Sequence, residues 1–244
     1  MVYGLSIVFA LSSPVAAEQH VDHSAWGGLL HRYVKAGLVD YEGLKAERET
    51  LDRYLASLAD VDPATWPSRE EQLVFWINAY NACVFKGVLD HYPLKSVKDV
   101  KGFFDKLRYR VAGRDLTLNE IEAEGRALRD WRIHFAVVCA SASCPPIRSE
   151  AYAADRLDAQ LTEQVRQFLK NSRDGLRLES PTLFMSSIFK WYAKDFVSGP
   201  ETAASLLAVL EPHLDPAVAE AARGKQLALK FLPYDWSLNI RRQL

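Results

Sequence analysis

The chain has 244 residues, nearly half of them apolar and a quarter charged, with 30 Lys plus Arg against 31 Asp plus Glu. That length suits one generous domain, and a net charge near zero gives no basis for nucleic-acid binding, which favours a basic excess. No low-complexity tract or internal repeat suggests a fibrous or solenoid architecture.

The first residues stand apart from the rest. "LSIVFALSSPVAAEQH" offers a short apolar core, Leu5 to Leu11, then Pro14 and the small-residue run Val15-Ala16-Ala17. This has the core and cleavage region of a secretory signal peptide, although no Lys or Arg precedes the core. The expected division is therefore a signal peptide over residues 1–17 and a single domain over 18–244. The mature chain is expected in the periplasm or secreted. A core this short does not span a bilayer, so no membrane span is expected in the mature chain.

Trp26, Leu29, Leu30, Tyr33 and Val34 follow helical spacing, and Leu51, Tyr54, Leu55 and Leu58 mark a second helix. After the break at "DPATWP", Ser68 with Glu71 three residues on predicts a capped helix start. This helix is expected to run to about His91, with Pro93 just beyond. Its middle is apolar on nearly every side, which predicts a central helix buried all round. "RYRVAGRDLTL" predicts a hairpin turning at Gly113, and Thr117 with Glu120 caps a short helix. "RIHFAVVC" is β-rich and apolar enough for a buried strand. Leu157, Leu161, Val165, Phe168 and Leu169 give another amphipathic helix, and a strand around "LRLE" follows. "SSIFKWYAKDF" and "ETAASLLAVLEPHL" predict helix, and "LALKFL" predicts a last strand before "PYDWSLN". With no regular βαβ alternation, the fold class is α+β. It is a single helix-rich domain with a central buried helix and a small, mostly antiparallel sheet.

Asn78 and Asn81 lie three apart on the central helix and share a face. Asn is a poor helix former, and a buried unpaired amide costs about 1–3 kcal/mol, so both need partners. They either tie the helix to a neighbouring segment or line a ligand pocket. His134 is the nearest base to the cysteines in sequence. If "RIHFAVVC" is a strand, five steps of about 3.3 Å place Cys139 roughly 16 Å from His134, on the opposite face. That reading makes His134 a structural residue at the far end of the strand.

"CASASC" places Cys139 at the strand end and lets the chain turn back through small residues to Cys144, before Pro145 and Pro146. The two thiols are expected close together. They form either a disulfide or a reactive pair, with Cys144 near a helix or turn N-terminus that would lower its pKa. Cys83, on the buried helix, reads as packing. Two cysteines at this spacing lack the further ligands a zinc site needs, and no cofactor is expected.

Several stretches together, "VDYEGL", "FWINAYNACVFKGVLDHYP", "IHFAVVCASASCPPIR", "SSIFKWYAKDF" and "YDWSLN", resemble the domain of unknown function 547 family, in the family's order and over roughly residues 24 to 240. The resemblance implies recurring polar positions at Asn78, Asn81, His134, Cys139, Cys144, Lys190, Asp195, Asp235 and Asn239. It also brings Lys190 forward as a cation beside the thiols. It implies no particular reaction. The helix-then-strand order is also similar to that of transglutaminase-like and papain-like enzymes. Those carry their nucleophile where this chain has Asn78 or Asn81.

The leading expectation is thus an exported protein whose Cys144 or Cys139 acts on an amide or thiol-containing small substrate, assisted by Lys190 or His134. Asn78, Asn81, Asp195, Asp235 and Asn239 would bind the ligand. The alternatives are a non-catalytic module for a small molecule or peptide, with Cys139 and Cys144 bridged, and a thiol–disulfide partner.

Overall fold

The computed structural model describes residues 21–66 and 68–241; the expected signal peptide lies outside them. The chain opens with α1 (Ser24–Tyr33) and a tight hairpin of β1 (Val34–Lys35) and β2 (Leu38–Val39). The short α2 (Tyr41–Leu44) and then α3 (Arg48–Ser57) lead to the long α4 (Arg69–His91). Ser68 caps α4 by accepting from the Glu71 amide, as its spacing predicts. Sixteen of its residues, Leu73 through Leu89 with one interruption at Lys86, are buried. The expected central helix is therefore what forms.

The hairpin at Gly113 consists of β3 (Tyr109–Val111) and β4 (Arg114–Leu116). The Thr117–Glu120 capping box then starts α5 (Leu118–Ala127), which packs along α4. Beyond α6 (Leu157–Leu169), β5 (Leu176–Glu179) pairs antiparallel with β6 (Thr182–Met185). The predicted "SSIFKWYAKDF" helix is broken into α7 (Ser187–Trp191) and α8 (Ala193–Phe196). After α9 (Ala203–Leu210) and α10 (Pro216–Ala222), β7 (Ala228–Phe231) joins β6 in parallel. The molecule is α+β and rich in helix, and among the described residues its strands are divided among three small sheets. No helix among the described residues is long and apolar enough to cross a membrane.

One expected element is absent. "RIHFAVVC" is not a strand: Trp131–Phe135 is a 3₁₀ helix started by Asp130, whose side chain accepts from the Arg132 amide. Residues 136–138 lie buried without a strand partner, because a side chain takes that partner's place. The Asn81 amide donates to Ala136 O at 2.9 Å and accepts from the Val138 amide at 2.9 Å. Asn78 does the same for Tyr152, at 3.0 and 3.1 Å. Each asparagine thus clamps a loop to α4 with a paired set of bonds that mimics a β-bridge.

Among the described residues, two apolar clusters make up the interior. The larger surrounds α4; the smaller gathers Phe135, Phe168 and Phe189 with the β5–β6–β7 sheet and α9.

Candidate functional site

The segment from Cys139 to Cys144 folds back on itself because Ala140 takes a left-handed conformation, φ 57°. Such a conformation is uncommon for a residue with a Cβ and is held here by its surroundings. The surroundings are the C-terminal segment. Ala140 O accepts from the Asn239 amide at 3.1 Å, the Ala142 amide donates to Ser237 O at 2.8 Å, and the Ser143 amide donates to Asp235 O at 3.2 Å. Ser143 Oγ adds two bonds, accepting from the Asp235 amide at 2.9 Å and donating to Asp174 at 2.6 Å. A loop of small residues is thereby fixed in one shape.

That shape brings the thiols together, with Cys139 Sγ 3.0 Å from Cys144 Sγ and both cysteines free. The disulfide, one of the two expected arrangements of this pair, is not formed. Cys139 Sγ also lies 2.9 Å from Ser141 Oγ and 3.1 Å from the Tyr234 hydroxyl, while the Cys139 amide donates to Cys144 Sγ at 3.0 Å. Ser141 Oγ and the Tyr234 oxygen also lie 3.0 Å apart, so the single Ser141 proton can turn to either the sulfur or Tyr234, and Tyr234 can direct its own proton toward the sulfur. Burial alone raises a thiol pKa, but at Cys139 the hydrogen bonds of Cys144, Ser141 and Tyr234 outweigh it and bring the thiol from 9.0 to about 7. Burial and the neighbouring Cys139 sulfur hold the Cys144 thiol well above the ordinary range. The pair therefore releases one proton readily and keeps the second. The hydroxyls of Ser141 and Tyr234 stand at Cys139 Sγ and favour the charge there. No helix begins at Cys144 or within the next nine residues, so hydroxyl groups and the partner thiol, rather than a helix terminus, supply the activation.

Both cysteines are half-buried and line a cavity of about 290 Å³ where the two apolar clusters meet. His134 lines the same cavity, contrary to its expected place at the far end of a strand. With a 3₁₀ turn in place of the extended rise, the 16 Å separation does not apply. His134 is still no direct partner of either sulfur. Its Nε2 donates to Asp195 Oδ2 at 2.7 Å, and the same oxygen accepts from Arg126 Nε at 2.7 Å. Burial outweighs the attraction of Asp195 and lowers the His134 pKa to about 4, so the ring is neutral at physiological pH. It packs against Tyr192 in a tilted arrangement with centroids 4.0 Å apart.

The remaining expected site residues divide. Asp195 orients His134 from behind. Asn78 and Asn81 do not line the cavity; both amides serve backbone groups. Asn239 accepts from the buried Tyr41 hydroxyl at 2.9 Å, and Asp235 caps a turn through the Ser237 amide at 2.9 Å. Lys190 is exposed, with Nζ 5.9 Å from the Phe231 ring centroid, and does not line the cavity. The residues that sequence reasoning passed over are Ser141, Tyr234, Trp236, Trp191, Tyr192, Asn119 and Glu122. Two signals pointed to some of them. In an extended "YDW", Tyr234 and Trp236 share a face. Glu122 stands on the apolar stripe of α5 with Leu118, Ile121 and Gly125, where a carboxylate is out of place.

Among the described residues, no group of three or more His, Cys, Asp or Glu side chains is placed to hold a metal ion. A larger cleft, about 560 Å³, lies beside α1 between His23 and Arg156, and neither Cys139 nor Cys144 lines it. No curated protein and no solved structure matches the chain. Residues 63–169 match the family model described as "Protein of unknown function, DUF547", a span that contains α4, the Cys139–Cys144 loop and α6 and falls inside the wider stretch of resembling motifs. Residues 63–169 belong to the DUF547 family.

Proposed function

We propose that the protein is a thiol-dependent hydrolase or transferase in which Cys139 attacks the carbonyl carbon of a small amide or thioester substrate. The observation that carries this reading is the set of three hydrogen-bond partners around Cys139 Sγ, which lowers its pKa while the residue lines a cavity. Thiolate is the nucleophilic form of cysteine, and one poised near neutral pH combines availability with reactivity. In the proposed reaction the sulfur–carbon bond forms as the carbon–nitrogen or carbon–sulfur bond breaks. The departing group takes the proton that Cys144 retains. Water or a second acceptor then displaces the acyl group from sulfur. His134, neutral and bonded to Asp195, forms a fixed wall of the site.

The test is acylation by p-nitrophenyl acetate. One equivalent of nitrophenolate released in a burst, with the acetyl group mapped to Cys139, supports the reading. Absence of acylation at Cys139 contradicts it. The second reading is a binding module with Cys139 and Cys144 bridged, favoured by the 3.0 Å between the sulfurs. It requires that only the buried Cys83 react as a free thiol after denaturation. The exported location belongs to this proposal as well. The secreted protein should begin at Glu18 by intact mass, and full-length chain recovered from the cytoplasm would contradict export.

A further inference from the structure

The cavity wall has a chemical bias beyond its thiols. Its thirteen lining residues include no Lys or Arg, one carboxylate, Glu122, and six aromatic side chains. Glu122 is 8% exposed and makes no ion pair among the described residues. Arg126, a cation that acts on Glu122, is held by Asp195 at 2.7 Å, with its guanidinium carbon 5.0 Å from the Tyr192 ring centroid. Burial pushes the Glu122 carboxyl toward its neutral form, against the hydrogen bond from Tyr192 and the attraction of Arg126. A cation entering the cavity would relieve that penalty by favouring the carboxylate.

The aromatic side chains point to the same class of ligand. The faces of Trp and Tyr rings attract cations, and a buried group of them is a recurrent way to hold an ammonium ion. The rim already holds one, since Lys98 Nζ lies 4.2 Å from the Trp236 ring centroid. Trp191 stacks against Trp236 with centroids 5.8 Å apart and leaves 48% of its surface exposed, although it is among the largest apolar side chains of the molecule. An exposed tryptophan at the mouth of a pocket is an available cation-binding face.

We infer that the cavity takes a substrate bearing an ammonium group, held by Glu122 and the surrounding aromatic faces, with its carbonyl presented to Cys139. The inference deepens the thiol-dependent reading and rests on Cys139 being reactive. It names the substrate as a small amine-bearing amide or thioester.

Three alkylating probes test it: iodoacetamide, iodoacetate, and an iodoacetamide carrying a trimethylammonium group. Each forms a thioether at the sulfur with loss of iodide. Rates at Cys139 are followed by peptide mass and divided by the rates with free cysteine. The cationic probe should be favoured over the neutral one by about tenfold, and the anionic probe disfavoured. Because a thiolate itself favours a cation, the decisive quantity is how the cationic-to-neutral ratio changes on substitution. It should fall several-fold in Glu122→Gln, which can still accept from Tyr192, and in Trp191→Leu, a position half open to solvent. Alkylation of Cys139 with no cationic preference, or with a preference unchanged in Trp191→Leu, overturns the inference and leaves the reactive thiol standing. If no probe modifies Cys139, the thiol reading itself fails and the inference falls with it.

Discussion

At the scale of single residues, the site depends on who shares a proton with Cys139. Tyr234 is one of three partners of the sulfur and sits 95 residues away in sequence. Replacing it with Phe removes one donor to the thiolate and leaves the ring's packing against Trp191 and Trp236. The apparent pKa of Cys139 should then rise by about one unit, the order expected for one hydrogen bond to a charged group. Alkylation rate against pH reads this directly, and an unchanged profile would mean the hydroxyl does not act on the sulfur. Asn78 and Asn81 have a different weight. Each satisfies two buried backbone groups, so Asn81→Leu should orphan Ala136 O and the Val138 amide at about 1–3 kcal/mol per group. Urea unfolding would measure it; a midpoint equal to wild type would show that these bonds do not hold the loop.

At the scale of elements, the turn from α6 into β5 allows no side chain at Gly175. A Cβ there would lie 1.9 Å from the Phe168 carbonyl oxygen, a backbone atom that cannot move aside without displacing α6. Gly175→Ala should therefore cost about 1–3 kcal/mol by overpacking, read by thermal or urea unfolding. Elements whose ends carry their own signals were legible in the sequence. Ser68 and Glu71 marked the start of α4, and Thr117 and Glu120 the start of α5, because a cap is a local contract between neighbours in sequence. "RIHFAVVC" was misread for the opposite reason. Its β-branched and aromatic residues satisfy strand propensity, but that propensity reports burial as much as backbone preference. The partner that satisfies residues 136–138 is the side chain of Asn81, 55 and 57 residues away, which no local pattern displays. The closeness of Cys139 and Cys144 was legible because a short loop of small residues enforces it. The partners from "PYDWSLN" were not, since they arrive from the far end of the chain.

At the scale of the whole molecule, burial lowers the pKa of His23, His134 and His213 and so couples the fold to pH. Burial lowers both His23 and His134 to about 4, against 6.5 in the unfolded chain. Between those values the unfolded chain binds protons that the folded one does not, so the stability they contribute is present above about pH 6.5 and is lost as pH falls toward 4. Unfolding midpoints taken across this window should decline toward acid, and His134→Phe should flatten the decline. A midpoint independent of pH from 6.5 to 4 would contradict the buried, neutral state of both rings. The same architecture explains why the site lies where it does. The C-terminal segment crosses the molecule to pin the Cys139–Cys144 loop and supplies Tyr234 and Trp236 to the cavity between the two apolar clusters. The most direct test of this account is the pH profile of Cys139 alkylation by iodoacetamide in the reduced protein. It should rise through a single step near pH 7 at Cys139, while Cys83, raised by burial, stays unmodified until the fold opens. A step at the ordinary thiol value, or modification of Cys144 in preference to Cys139, would contradict it.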